Sequence, residues 1–274
     1  MKKRKKRNQP PLTSIIILTH NSLAYTKECI SSIFQYTNEP FELILIDNGS
    51  TDGTLSYLTK LPNAKVIANQ INRGFAGGCN QGLKLAAGTN IVLLNNDTVV
   101  TEGWLSHLLW WLRHNDQIGI VGPRSNFVLA QQAISQVPYK TIDEMKAFAK
   151  EWAKKHNKQG YETDQLSGFC MVFKKSLIEK IGGLDERFSP GYYEDTDFCI
   201  RAQISGKKLW VASDVFIHHY GSSSFKKNKE QHEKIVNESY SKFVNKWNVK
   251  NLHQLAQVVK REKPFNSIRH YVPY

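Results

Sequence analysis

The N-terminal part of the chain alternates short β-branched runs with amphipathic stretches, and this alternation restricts the fold more than any other feature. Ser14–Thr19 (SIIILT), Phe41–Ile46 (FELILI), Lys65–Ala68 and Asn90–Leu94 (NIVLL) read as buried strands. Apolar runs of this length, bounded by polar turns, fit strands covered on both faces. Helices are expected over Ala24–Tyr36, Cys79–Ala87 and Trp104–His114, with Asp52 as the cap of a further helix. Alternating strands and helices imply an α/β fold with a mostly parallel central sheet flanked by helices. In such sheets ligands bind beyond the carboxyl ends of the strands. Here those ends carry Thr19-His20-Asn21, Asp47-Asn48-Gly49 and Asn95-Asn96-Asp97, so a site is expected along that edge.

The second half has a different texture. Thr141–Asn157 reads as a polar amphipathic helix, Gln165–Lys174 as a strand and Lys175–Ile181 as a short helix closed by Gly182-Gly183. Tyr192–Ser205 opens acidic and becomes helical; Lys208–Ala212 and Val215–His218 are strand-like, and Lys229–Trp247 is a charged amphipathic helix. The expected organisation is a basic flexible tail over 1–12, a main domain over 13–225 in two halves (13–124 and 125–225), and a basic helical extension over 226–274.

Hydrophobic residues make up 41% of the 274 residues, enough for a sizeable core. The net charge of +13 lies at the two ends: Lys2–Arg7 contribute +6, and the stretch from Lys226 onward contributes +7. A nucleic-acid-binding module carries its basic footprint on the folded body, so no nucleic-acid partner is expected. Basic ends on a balanced body fit peripheral contact with an anionic membrane surface. The longest apolar runs fall far short of the roughly 20 residues of a spanning helix. Cys29, Cys79, Cys170 and Cys199 have neither zinc nor redox spacing, which points to reduced thiols and a cytoplasmic location, or the inner face of the plasma membrane.

Two common α/β classes are disfavoured. A dinucleotide-binding dehydrogenase needs a glycine fingerprint after the first strand, where this chain has Thr19-His20-Asn21-Ser22; a Walker A loop is absent. The loop Gly74-Phe75-Ala76-Gly77-Gly78 comes too late and has the wrong spacing for the fingerprint. SIIILTHNS, LIDNGSTDGT, NRGFAGGCNQG, LLNNDT, GGLDERF, YYEDTDFCIR and HHYGSSSF, in that order across Thr13–Trp247, resemble the family 2 glycosyltransferases of GT-A fold, most of all their rhamnosyltransferase-like branch. Each motif is weak alone; seven in order are specific. The resemblance implies a nucleotide-sugar donor (UDP or dTDP), a divalent cation (Mn2+ or Mg2+), inversion at the anomeric carbon, and a glycan, lipid-linked or protein acceptor in cell-surface glycan synthesis.

The residues admit matching chemistry. Asp47, at a strand end beside a glycine turn, can pair with the edge of a base, and the resemblance puts the uracil or thymine between it and Thr19, His20 and Asn21. Asp52 reads as a cap. Arg73, in a glycine-rich loop entering a helix, suits a diphosphate. Gly77, Asn80, Asn95, Asn96 and Gly168 complete the donor set that the resemblance implies. Asn95-Asn96-Asp97 takes the place of the family's Asp-x-Asp metal motif, with asparagine for the first carboxylate, which leaves Asp97 as the carboxylate ligand. The resemblance implies a histidine in an H-x-x-G position that helps hold the metal or diphosphate; the spacing to Gly221 points to His218, with the adjacent His219 as the alternative. A positioned carboxylate can take the acceptor hydroxyl's proton, and the resemblance implies that role for the aspartate of Glu194-Asp195, Asp195, with Glu194 as second choice. Asp197 is spaced to pair with Arg201 one helical turn on. A nucleotidyltransferase, or a binding protein of the same fold, are the competing classes.

Overall fold

The computed structural model describes residues 11–128, 130–221 and 229–274; the basic run Lys2–Arg7 lies outside them. Strands β1 (Thr13–Thr19), β2 (Phe41–Asn48), β3 (Ala64–Asn69) and β4 (Asn90–Asn95) are those expected, each within a residue or two. Between them lie α1 (Leu23–Tyr36), α2 (Thr54–Leu58) and α3 (Gly74–Leu85). A two-residue β5 (Thr98–Val99) precedes α4 (Trp104–His114) and β6 (Ile118–Arg124); then come α5 (Ile142–Lys155), β7 (Gly160–Thr163), β8 (Cys170–Lys174), α6 (Lys175–Ile181) and α7 (Glu194–Ile204). The chain continues through β9 (Lys208–Phe216), a two-residue β10 (His218–His219), α8 (Lys229–Trp247), α9 (Leu255–Glu262) and α10 (Ser267–His270).

The main sheet has the order β3-β2-β1-β4-β8-β6-β9-β7. The first four strands are parallel, β8 runs antiparallel between β4 and β6, β6 and β9 are parallel, and β7 closes the edge antiparallel to β9. One sheet therefore runs through both halves. A second ribbon pairs β10 with β5, His218 opposite Val99 and His219 opposite Thr98.

Strand side chains alternate between faces, and the core is split accordingly. Ile15, Ile17, Leu43, Leu45, Val92 and Leu94 pack with Cys29, Ile30 and Ile33 of α1 and with the Trp104–Leu112 face of α4. Ile16, Ile44, Ile46, Ile91 and Leu93 face the other way, onto α3, α6 and α7. Burying each such Ile or Leu contributes about 1.5–3 kcal/mol. Helix α3 lies flush on the sheet because Gly78 and Gly82 share the face toward it: a Cβ on Gly82 would come within 2.4 Å of Ile16 and 3.0 Å of Ile46.

Three expectations need correction. Helix α3 begins at Gly74 rather than Cys79, so the glycine-rich segment is its first turn and not a loop before it. The strand expected over Gln165–Lys174 is confined to Cys170–Lys174, and the two strand-like segments over 208–218 are one long strand followed by the short β10. The helical extension expected at the C-terminus packs against the rest of the fold. Phe243, Trp247, Leu255 and Val258 form one buried cluster with Phe188, Ile200 and Ile204. Beneath it, Asp197 binds Arg201 Nε at 2.8 Å, both residues wholly buried, and accepts the indole N–H of Trp247 at 3.0 Å. Lys246 binds Asp197 as well and reaches Asp185 at 2.7 Å. Part of the C-terminal positive charge is thus used internally. The four cysteines are buried and free, and no helix among the described residues is long and apolar enough to cross a membrane.

Candidate active site

The parallel register sets the expected residues in a row along the carboxyl edge of the sheet. Thr19 is opposite Asp47 on β2, and Leu18 is opposite Asn95 on β4. Adjacent strands lie about 4.8 Å apart, so Asp47 and Asn95 flank β1 at about 10 Å from each other. The row continues onto β8, where the Asn95 N–H donates to the Phe169 carbonyl at 2.8 Å, and the neighbouring Gly168 N–H donates to Asp195 Oδ2 at 2.8 Å.

At the β1–β2 end the side chains hold the loops to one another. Thr19 and Asp47 are buried, Thr19 Oγ1 donating to the Ile46 carbonyl and Asp47 Oδ2 accepting the Ser50 N–H at 3.0 Å. Asn21, in the left-handed region at φ 59°, accepts the Thr51 N–H at 2.8 Å, and His20 Nδ1 donates to the Asn48 carbonyl at 3.0 Å. Asp52 caps two helices at once, accepting the N–H groups of Thr54 and Leu23. Sequence reasoning passed over Asn48, which organises the next loop. Its Oδ1 accepts the Arg73 N–H at 3.0 Å and its amide donates to Asn72 at 2.8 Å. Asn72 in turn accepts the Gly74 N–H at 2.8 Å. This network aims the N-terminal turn of α3, with Arg73 exposed at its head, while the Phe75 N–H donates to the Pro190 carbonyl at 2.9 Å.

Asn80 is expected at the donor, but its side chain is consumed by protein: it donates to the Leu184 carbonyl at 2.8 Å and to Glu186 at 2.9 Å, and accepts the Leu184 N–H. It anchors the 184–186 loop to α3. Gly77 lies between Arg73 and Glu186, where a Cβ would make ordinary contacts with both. Asn96 donates to Thr26 on α1 at 2.9 Å.

Of the two histidines, His219 rather than His218 faces Asp97, with Nε2 3.1 Å from Asp97 Oδ1 and 3.4 Å from the Asn95 amide. Neighbours on a strand point to opposite sides, so His218 turns away and bonds the Tyr139 hydroxyl at 2.8 Å. Burial, and then the neighbouring His219, pull the His218 pKa down to about 4, which keeps its imidazole neutral near pH 7. His219 Nδ1 lies 2.8 Å from the Phe127 carbonyl. A carbonyl only accepts, so Nδ1 carries the proton and the Nε2 lone pair is turned toward a carboxylate. Such a pair needs a proton or a cation between its members. Cis ligands of an octahedral cation bound at about 2.1 Å are about 3 Å apart, close to the observed 3.1 Å. The Asp97 carboxylate suits Mn2+ or Mg2+, and the imidazole nitrogen beside it shifts the preference toward Mn2+. Among the described residues no three His, Cys, Asp or Glu side chains converge on one point, so a cation here would draw further ligands from the substrate.

Phe169 joins this pair to the acidic cluster. Its ring stacks on His219 at 5.2 Å and 18°, and the residue before it, Gly168, holds Asp195. Asp195 also accepts the Thr196 N–H at 2.7 Å. Burial raises the Asp195 pKa, opposed by these two N–H groups. Glu194 differs: it is 6% exposed and its Oε2 has no hydrogen-bond partner among the described residues. Burial, and then the Asp195 charge, push its carboxyl well above the usual range. The turn that delivers both is strained, since Tyr192 and Tyr193 have φ of 75° and 72°, rare for bulky residues. Helix α8 braces it: Tyr192 stacks on His232, and Tyr193 packs on Tyr240 and Phe243.

Comparison with known proteins agrees with this arrangement. Residues 14–182 match the model of glycosyl transferase family 2. An uncharacterised glycosyltransferase of Haemophilus influenzae is 33% identical over 138 residues, 48% of this chain and 43% of that protein, so the match spans less than half of that relative. An N-acetylglucosaminyl-diphospho-decaprenol L-rhamnosyltransferase of Mycobacterium tuberculosis is 23% identical over 77% of this chain and 76% of its own. A mannosyltransferase from Pyrobaculum calidifontis, solved with GDP-mannose and Mn2+, superposes with a TM-score of 0.63 at 18% identity, covering 93% of this chain and 70% of that one. With the sheet order, the edge-lining loops and a family match over 14–182 in agreement, the chain belongs to glycosyl transferase family 2.

Proposed function

We propose that the protein transfers a sugar from a UDP- or dTDP-sugar to an acceptor hydroxyl with inversion at the anomeric carbon. The observation that carries this reading is the continuous link Asp195–Gly168–Phe169–His219–Asp97, which holds the Asp195 carboxylate and the Asp97–His219 pair to one short stretch of backbone, as a base and a cation site serving one reaction would require.

The base edge of the donor is received between Asp47 and the Thr19–Asn21 turn. Both loops are polar and hydrogen-bonded to each other, which supports a binding role, and Thr19 supports Asp47 through its hydroxyl. Arg73, exposed at the head of α3, receives the diphosphate, where a guanidinium favours anionic oxygens; the first N–H groups of the helix are taken by Asn48, Asn72 and the Pro190 carbonyl. Asp97 and His219, with Asn95 beside them, would hold the divalent cation, which when bound would supply charge neutralisation to the departing diphosphate. Asp195 takes the proton of the acceptor hydroxyl as its oxygen attacks the face opposite the leaving group. Glu194 suits that role less well, since burial disfavours its charged form and its Oε2 has no hydrogen-bond partner among the described residues, whereas Asp195 is held by two N–H groups.

A lipid-linked glycan is the acceptor class we favour, because the mycobacterial relative is named for a decaprenyl-diphosphate acceptor and Lys2–Arg7 would draw the protein to an anionic cytoplasmic membrane face. Incubation with a panel of nucleotide-sugars and a lipid-diphosphate saccharide, followed by mass analysis of the product and NMR of its anomeric proton, tests the reading. A product of retained configuration would exclude inversion.

A further inference from the structure

His219 is held by a segment that no part of the reaction scheme uses. Asn126, just beyond β6, donates from its amide to the His219 carbonyl at 3.0 Å and accepts the His219 N–H at 2.9 Å. One side chain thus replaces a strand partner on both sides of that residue. The next residue, Phe127, supplies the carbonyl that takes the Nδ1 proton at 2.8 Å, and its ring meets the imidazole edge-on at 5.8 Å. Gly221 makes room for this ring: a Cβ there would fall 2.2 Å from Phe127. The backbone of His219, its tautomer and the space beside it are therefore all set by Asn126-Phe127.

We propose that Asn126 is a positioning residue that, with the Phe127 carbonyl, locks His219 in the Nδ1–H tautomer and so presents Nε2 to a cation at Asp97. This rests on the cation reading of Asp97 and His219. Outer-sphere partners of a ligating histidine fix its ring, and their loss lowers metal affinity by about 10- to 100-fold. Losing Asn126 frees the backbone of His219 and lets the ring exchange tautomers, so that part of the population offers a proton where the cation would bind.

Mn2+ binding to the full chain is measured by electron paramagnetic resonance of the free ion, with and without UDP, for the wild type, His219→Ala and Asn126→Ala. Nitrogen NMR of the His219 ring in metal-free protein, at a pH high enough that the imidazole is neutral, gives the tautomer. The expected result is Mn2+ affinity lower by about 10- to 100-fold in Asn126→Ala, with mixed tautomers in place of the single Nδ1–H form. Should Asn126→Ala fail to fold, the same readings are made on Asn126→Ser. Wild-type affinity and a single tautomer in the folded Asn126 variant would overturn the proposal. Equal Mn2+ binding by wild type and His219→Ala would instead overturn the cation reading beneath it.

Discussion

Asp195 and Gly168 are joined by a 2.8 Å hydrogen bond from main-chain N–H to carboxylate, and a Cβ on Gly168 would lie 3.2 Å from the Asp195 Cβ. The small residue at 168 gives the carboxylate both a donor and room. For Asp195→Asn, sugar transfer should fall by about 10^2- to 10^4-fold while UDP affinity stays near wild type in calorimetry. Because the pKa of Asp195 is raised by burial, the acid limb of kcat/KM should lie above the ordinary aspartate value of about 3.9. Transfer retained in the Asn variant would remove Asp195 as the base.

Asp97 and His219 make a second prediction. Titration calorimetry of UDP with and without Mn2+ should show a metal-dependent gain in affinity for the wild type that is absent in Asp97→Ala. Since His218 faces Tyr139 instead, His218→Ala should retain that gain and His219→Ala should lose it. The reverse pattern would return the ligand role to His218.

Asp197 ties α8 to α7 from a wholly buried position, accepting from Arg201 and Trp247. Removing one partner of a buried ion pair costs about 3–5 kcal/mol. Asp197→Ala should therefore lower the melting temperature by many degrees, whereas Lys234→Ala, at an exposed pair on the same helix, should leave it nearly unchanged. A chain ended before α8 would expose Phe188 and Ile200 and should not give a soluble, cooperatively melting protein. Membrane-binding tests should thus remove only the N-terminal run.

Glu194 predicts a pH dependence of stability. Its folded pKa is raised, so between the unfolded value of about 4.3 and the folded one the native state binds more protons than the unfolded chain. Its contribution is then fully present below the unfolded value and is lost as pH rises through the folded one. Melting curves of wild type and Glu194→Gln across pH 4–9 should show the glutamine variant gaining relative stability as pH rises. Parallel curves would contradict the assignment of Glu194 as a buried neutral acid.

The parallel half of the fold was legible because each strand there is an apolar run stopped by a polar turn, and the turns at Thr19, Asp47 and Asn95 became the site's edge. Strand β6 was not expected over Ile118–Arg124, since glycine and proline interrupt its pattern. The two-residue β5 and β10 carry no period at all. That is why spacing favoured His218: which of two adjacent histidines faces Asp97 depends on pairing with Thr98 and on Asn126, residues far away in sequence. The partners of Asn80 were hidden for a related reason, since Leu184 and Glu186 lie about a hundred residues on in sequence. The acidic motif was readable, but the division of labour within it was not. Glu194 and Asp195 are neighbours in sequence, and only the Gly168 and Thr196 N–H groups distinguish them.

The most direct test of sugar transfer from a nucleotide-sugar is release of nucleoside diphosphate from a panel of UDP-, dTDP- and GDP-sugars with Mn2+ and a lipid-linked acceptor. The account predicts release from a UDP- or dTDP-sugar that requires the acceptor, is abolished by chelation and is absent in Asp195→Asn. Release of nucleoside monophosphate or pyrophosphate instead, or equal release by wild type and Asp195→Asn, would contradict it.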